Sequence, residues 1–201
     1  MTDNFSLISS LLDFSVIDTF YFIQILKRRK ENPEMSKNSK TINVYYVFCK
    51  EDLEKIRHKI VEDCTLHNAR AYINLNRLDA KLIALMTIQT IVEYMRKGQY
   101  ASVQNAYTTT CGNYPSESEK KWVIDMDPEH LPFIDLVIDT LKELHIESRG
   151  RIVAIVPSKN GCHIISTAFH PEKFNRMLEE KIAPAKVPDI QKNSPTILYT
   201  L

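Results

Sequence analysis

The 201-residue chain lacks an excess of charge of either sign: 26 Lys and Arg stand against 25 Asp and Glu, a net charge of +1. No global field therefore draws nucleic acid or a membrane surface, and any such contact must come from local patches. The chain also lacks a CxxC pair. Its four cysteines, Cys49, Cys64, Cys111 and Cys162, are widely spaced. That pattern excludes a zinc ribbon and a dithiol redox motif, and reads as reduced, partly buried thiols of an intracellular, cytoplasmic protein. A membrane-spanning helix needs an uninterrupted apolar run of about 20 residues. The most apolar stretch, Phe5 to Leu26, is broken by Asp13 and Asp18, and no basic segment precedes it. Neither a span nor a signal peptide is expected. There is no internal repeat and no low-complexity segment. The composition, 44% hydrophobic and 25% charged, is that of one globular domain.

Hydrophobic periodicity predicts the elements. A short amphipathic helix is expected over residues 5–17. Strands are expected at Thr19–Arg28, Asn43–Phe48 and Arg70–Leu75, where aromatic and β-branched residues concentrate. Leu53, Ile56, Ile60 and Val61 predict a helix over Glu51–Cys64. Asp79–Arg96 should be a long helix, with Leu82, Leu85, Met86, Ile88 and Val92 on an apolar face that packs on the sheet. A shorter helix follows near residues 101–109. Arg29–Thr41 and Thr110–Lys120 read as loops. Pro132 suits the first turn of a helix whose buried stripe is Phe133, Leu136, Val137, Thr140, Leu141 and Leu144. Then come a strand at Arg151–Val156, a turn at Ser158–Gly161, a return strand at Cys162–Thr167, a helix from Pro171 and a final strand at Ile197–Leu201. The order has no strict βαβ rhythm. The expected fold is α+β, a mainly antiparallel twisted sheet with helices packed on one side.

One segment carries chemistry. In Trp122-Val123-Ile124-Asp125-Met126-Asp127, side chains alternate between two faces with period two. Val123, Asp125 and Asp127 share one face. Two carboxylates two residues apart on a sheet face repel each other and lose hydration, unless a cation sits between them. Magnesium or manganese is the natural occupant of an oxygen-only site. A second segment alternates as cleanly. In Arg70-Ala71-Tyr72-Ile73-Asn74-Leu75-Asn76, Arg70, Tyr72, Asn74 and Asn76 face one way. This polar face either lines the carboxylate cleft, with Arg70 on phosphate and Tyr72 stacked on a base or sugar, or is the solvated side of the sheet. The run Lys27-Arg28-Arg29-Lys30 either touches a nucleic-acid backbone or is a solvated loop end.

Three features follow in order: VIDMDP, the helix DLVIDTLKELHIES, and the hairpin IVAIVPSKNGCHIIS. This resembles the archaeo-eukaryotic primase superfamily, most nearly the polymerase domain of bacterial end-joining DNA ligases and small primase-polymerases. The likeness covers residues 120–201. It implies a template-directed nucleotidyltransferase that uses nucleoside triphosphates, a DNA or RNA template and magnesium or manganese, with no membrane partner. Residues 43–201 would be the primase-polymerase-like catalytic domain. Residues 1–42 would add an N-terminal helix, strand and polar loop to it. By resemblance, Asp125 and Asp127 bridge the metal ions and Asp189, in VPDIQKNSPT, is the third carboxylate. His163 donates to the triphosphate, while Ser158, Lys159, Asn160 and Gly161 line the phosphate pocket. The sequence departs from the family at two positions: Pro157 stands where the family has serine, and Ser158 where it has glycine. The small size and the lack of a helicase or zinc module point to a phage or mobile-element replication protein, acting in the host cytoplasm with other replication proteins. Two other readings use the same residues. One is a catalytically degenerate primase-fold accessory that binds nucleic acid. The other is a metal-dependent phosphodiesterase or nuclease with water as nucleophile.

Overall fold

A computed structural model describes residues 1–35, 38–113, 120–148, 150–193 and 195–201. In chain order the elements are β1 (Thr2–Asp3), α1 (Phe5–Leu11), β2 (Thr19–Lys27), β3 (Lys40–Val47), α2 (Lys50–His67), β4 (Arg70–Ile73), β5 (Leu78–Asp79), α3 (Ala80–Arg96), α4 (Ala106–Asn113), β6 (Lys121–Met126), α5 (Ile134–Ser148), β7 (Ile152–Pro157), β8 (Cys162–Thr167), α6 (Pro171–Glu179), β9 (Asp189–Gln191) and β10 (Thr196–Thr200). The fold is α+β, with antiparallel strand pairing throughout the described residues. Among those residues no helix is long and apolar enough to cross a membrane.

The strands form two sheets, not the single sheet expected. The larger runs β1-β10-β4-β2-β3, with β5 beside the start of β2; the smaller runs β7-β8-β6-β9. The reason lies in the small sheet's composition. Both of its faces are apolar, so each must be covered. Ile124 and Met126 face α5 and α6, where they meet Val137, Leu141, Phe174 and Leu178. Val123, Val156 and Ile165 face the other way and join a core with Ile25, Ile73 and Ile197 of the large sheet. The cleft described below opens where this inter-sheet core ends.

Two asparagines tie the sheets together. Asn4 donates to the carbonyls of Pro157 (2.8 Å) and Ile197 (3.0 Å). Asn76 accepts from the backbone N–H of Lys121 (2.7 Å) and donates to the Lys121 carbonyl (3.0 Å). Both are buried, and both satisfy backbone groups that neither sheet could satisfy alone.

The first helix ends at Leu11, earlier than expected. Beyond it the chain folds over Tyr21, whose hydroxyl accepts from the Asp13 N–H (2.9 Å) and whose ring meets the Phe14 ring edge-on. Residues 110–113, expected in a loop, continue α4; residues 114–119 lie outside the described residues. The larger correction concerns α3. Asp79 caps it, accepting from the Leu82 N–H at 2.7 Å. Yet the stripe expected to be buried is exposed at Leu82, Leu85, Ile88 and Val92. The helix packs instead through Ile83, which joins Phe20, Phe22, Leu78 and Cys111, and through Thr90, whose hydroxyl lies 3.3 Å from that of Thr110 on α4. Periodicity identifies a stripe; it does not say which face of the helix a neighbour covers. The two isoleucines should therefore differ sharply in a melting experiment. Ile83→Ala, at a site with 0% exposure, should cost about 2–5 kcal/mol. Ile88→Ser, at 61% exposure, should change stability by less than about 0.5 kcal/mol. Equal losses would mean that α3 is covered.

Candidate functional site

The site is built on the middle of the small sheet. Asp125 is near the end of β6, with His163 of β8 directly opposite on one side and Asp189 of β9 directly opposite on the other. Cross-strand partners share a face, with Cα atoms about 4.5–5.5 Å apart. Three polar side chains therefore meet on the face that looks toward the large sheet. The His163 Nε2 lies 3.5 Å from the Asp125 Oδ1, and its Nδ1 lies 2.8 Å from the Thr196 hydroxyl of β10. Asp127 follows the strand's end on the same parity. A tight turn holds it: the Asp127 N–H donates to His130 Nδ1 (3.2 Å), and the His130 N–H donates to the Asp127 carbonyl (2.8 Å).

The turn between β7 and β8 closes one end. Ser158 N–H donates to the Gly161 carbonyl (2.9 Å), and Gly161 N–H donates to the Ser158 hydroxyl (3.1 Å). Pro157, which stands where a serine was expected, gives its carbonyl to Asn4, so the turn is braced from the N-terminus. Gly161 is required by close approach. A Cβ there would lie 1.9 Å from the Met126 carbonyl oxygen, so the backbone itself would have to move. Gly161→Ala should lower stability by several kcal/mol, at or above the usual range of about 1–3 kcal/mol for overpacking, and should displace Lys159 and Asn160. A variant that melts with the wild type would mean that the turn does not rest on Met126.

A cleft of about 560 Å³ opens between the two sheets. Asp125, Asp127 and His163 line it with Ser158, Lys159 and Asn160, and Arg70 and Tyr72 form the opposite wall with Arg28 and Lys30. The polar face of β4 thus lines the cleft, and part of the basic run reaches it too. Arg70 is not available as first read. Its guanidinium forms a two-point ion pair with Glu31, one arm of which measures 3.0 Å. Arg28 contacts the Tyr72 hydroxyl at 3.4 Å. Among the described residues, the cations that line the cleft without such a carboxylate clamp are Arg28, Lys30 and Lys159. Asp189 is also partly corrected. The residue lines an adjoining groove with Pro188 and Lys192, and is not among those that line the main cleft.

The electrostatics mark Asp125 as the strained group. Burial raises its pKa first of all. His163 and His130 pull it down, and the charges of Asp127 and Asp189 push it up from either side. Burial lowers the His163 pKa, opposed by Asp125 and Asp127. Among the described residues, no three His, Cys, Asp or Glu side chains converge closely enough to form a finished metal site. The donor set nevertheless suits a hard divalent cation. It is carboxylate oxygen, partly buried, and its mutual repulsion is what such an ion removes.

Sequence reasoning missed Glu31, His130 and Thr196. His130 had a local signal, since a histidine three residues after Asp127 can cap the turn that follows the strand. Glu31 had none, because it reaches the site from a distant part of the chain; Thr196 ends the VPDIQKNSPT segment that was read for Asp189 alone. Compared with known proteins, the chain matches no family model and no curated protein sequence.

Proposed function

We propose that this protein is a template-directed nucleotidyltransferase of the primase-polymerase type. The observation that carries the reading is the union, in one cleft, of a carboxylate pair with a basic wall. Asp125, Asp127 and His163 stand on one side and Arg28, Lys30 and Lys159 border the same space. A phosphodiesterase needs the carboxylates but no pocket for a triphosphate. A nucleotide-binding accessory needs the cations but gains nothing from holding two carboxylates, Asp125 and Asp127, against the same cleft.

Each residue then has a task. Asp125 and Asp127, with Asp189, would hold magnesium or manganese, which supplies Lewis-acid activation of a 3′-hydroxyl and neutralises the leaving pyrophosphate. The Lys159 ammonium and the backbone N–H groups at the tip of the turn, those of Lys159 and Asn160, would bind triphosphate oxygens, since a turn directs N–H groups toward anions. His163 donates from Nε2 at the junction of the phosphates and Asp125. Tyr72 presents an aromatic face for a sugar or base. Arg28 and Lys30 extend the basic surface toward a nucleic-acid backbone, whose contacts depend on salt.

Calorimetry with a nucleoside triphosphate and manganese tests the reading. Wild type should bind, and Lys159→Ala or His163→Ala should weaken binding roughly ten- to a hundredfold, the effect of one charge-assisted hydrogen bond of about 1.5–3 kcal/mol. Absence of binding at millimolar metal would favour the accessory reading.

A further inference from the structure

We propose that Glu31 is a positioning residue: it grips one edge of the Arg70 guanidinium, so that the other edge stands open in the cleft as a seat for one phosphate group of a polyphosphate chain. A guanidinium carries five N–H donors in one rigid plane. Glu31 takes the edge formed by Nε and Nη2, with the Nε contact at 3.0 Å. The remaining donors, two on Nη1 and one on Nη2, have no partner among the described residues. They belong to a side chain that is only 11% exposed, in the cleft that Ser158, Lys159, Asn160 and His163 line from the other side. Donors so placed need an acceptor, and two phosphate oxygens match the spacing of an arginine edge.

The surrounding residues fix the clamp in place. Glu31 ends a single helical turn, Arg29–Glu31, between β2 and β3. Asn32, which is buried, fastens that turn by donating to the carbonyls of Arg28 (2.9 Å) and Asn68 (3.1 Å). Asn68 returns the contact, donating to Asn32 Oδ1 (3.2 Å). Asn68 also closes α2 in the left-handed conformation, two residues before Arg70. One corner of the fold therefore holds both the acid and the base. A loose arginine would give up rotamer freedom on meeting an anion. It would also be drawn to Asp125 and Asp127, which line the same cleft. Glu31 prevents both. That the phosphate belongs to a nucleotide rests on the nucleotidyltransferase reading; that Arg70 holds a phosphate by its open edge does not.

The test is calorimetry, with arginine ¹⁵N spectra, on the full chain with magnesium and inorganic tripolyphosphate. Arg70→Lys keeps a charge that can pair with Glu31 but has no second edge. It should melt as wild type does and bind tripolyphosphate roughly ten- to a hundredfold more weakly. Glu31→Gln should weaken binding about three- to tenfold, although it removes a negative charge from the cleft, and should add nothing in the Arg70→Lys background. A merely structural ion pair would leave both affinities at the wild-type value. In wild type, with the Arg70 signals assigned through bonds from its own backbone, tripolyphosphate should shift the Nη signals and leave Nε–H in place. Wild-type affinity in folded Arg70→Lys overturns the inference. So does tighter binding by Glu31→Gln, which would make Glu31 a competitor of the phosphate. An Nε–H signal that moves with tripolyphosphate, or no binding of tripolyphosphate by wild type, overturns it even if no variant folds. A loss in Arg70→Lys for a single-stranded oligonucleotide but not for tripolyphosphate would place a nucleic-acid phosphate at Arg70 and overturn it as well. Tripolyphosphate held through Arg70 by a protein that binds no nucleoside triphosphate would uphold the role of Glu31 and remove the nucleotidyltransferase reading instead.

Discussion

Asp125→Asn should abolish templated primer extension while leaving the fold intact. The residue is at the centre of the site, opposite His163 on one strand and Asp189 on the other. Asparagine keeps the shape but removes the charge that would hold the divalent ion. Losing one group aimed at developing charge typically costs about a hundred- to a thousandfold in rate, and a metal-bridging carboxylate should be at or above that range. Stability should move the other way. Burial and two neighbouring carboxylates raise the folded-state pKa of Asp125 above its ordinary value. As pH rises through the window between the unfolded and folded pKa values, the unfolded chain loses a proton that the folded chain retains. Folding is weakened there, and the loss persists at every higher pH. At neutral pH Asp125→Asn escapes that loss, so the metal-free variant should melt no lower than wild type. Manganese at about a hundred times its dissociation constant should stabilise wild type by about 2.7 kcal/mol, several degrees in a chain of this size. It should do little for Asp125→Asn. Extension at wild-type rate by this variant would remove Asp125 from the chemistry.

The second large effect is at Asp189. The residue is exposed and lines the groove beside α6, yet its charge acts on Asp125. Asp189→Asn should therefore leave melting nearly unchanged. It should also leave triphosphate affinity close to wild type, because the Ser158–Gly161 turn, next to β8, is at the far side of Asp125 from β9. Extension should still fall about a hundredfold or more, as for loss of one electrostatic group in the reaction. Steady-state extension assays read beside calorimetry separate the two. If the variant extends primers normally, Asp189 is a strand-end carboxylate and the site uses two acids, not three.

How much of this was legible in the sequence follows the range of the interactions involved. Strand parity put Asp125 on a face with Asp127, because it depends on a few consecutive residues, and the order of the motifs led to the expectation that His163 shares their cleft. The Cys162–Thr167 strand and the Pro171 helix were legible for the same reason. The division into two sheets was not, because alternation says that a face is apolar but not what covers it. The exposed stripe of α3 is the same failure in reverse. Arg70 shows a third kind. Its parity put it on a polar face with Tyr72, but only the fold brings Glu31 to it. Thr196 is distant in the sequence from His163, which it touches.

The central claim is that this cleft holds a triphosphate and a divalent cation together. It is tested most directly by a crystal structure of the protein with manganese and a non-hydrolysable nucleoside triphosphate, using manganese anomalous scattering to locate the ion. The account predicts an anomalous peak bound by Asp125 and Asp127, with triphosphate oxygens at Lys159 and His163. Manganese at some other place on the molecule, or a nucleotide bound away from the Ser158–Gly161 turn, would contradict it.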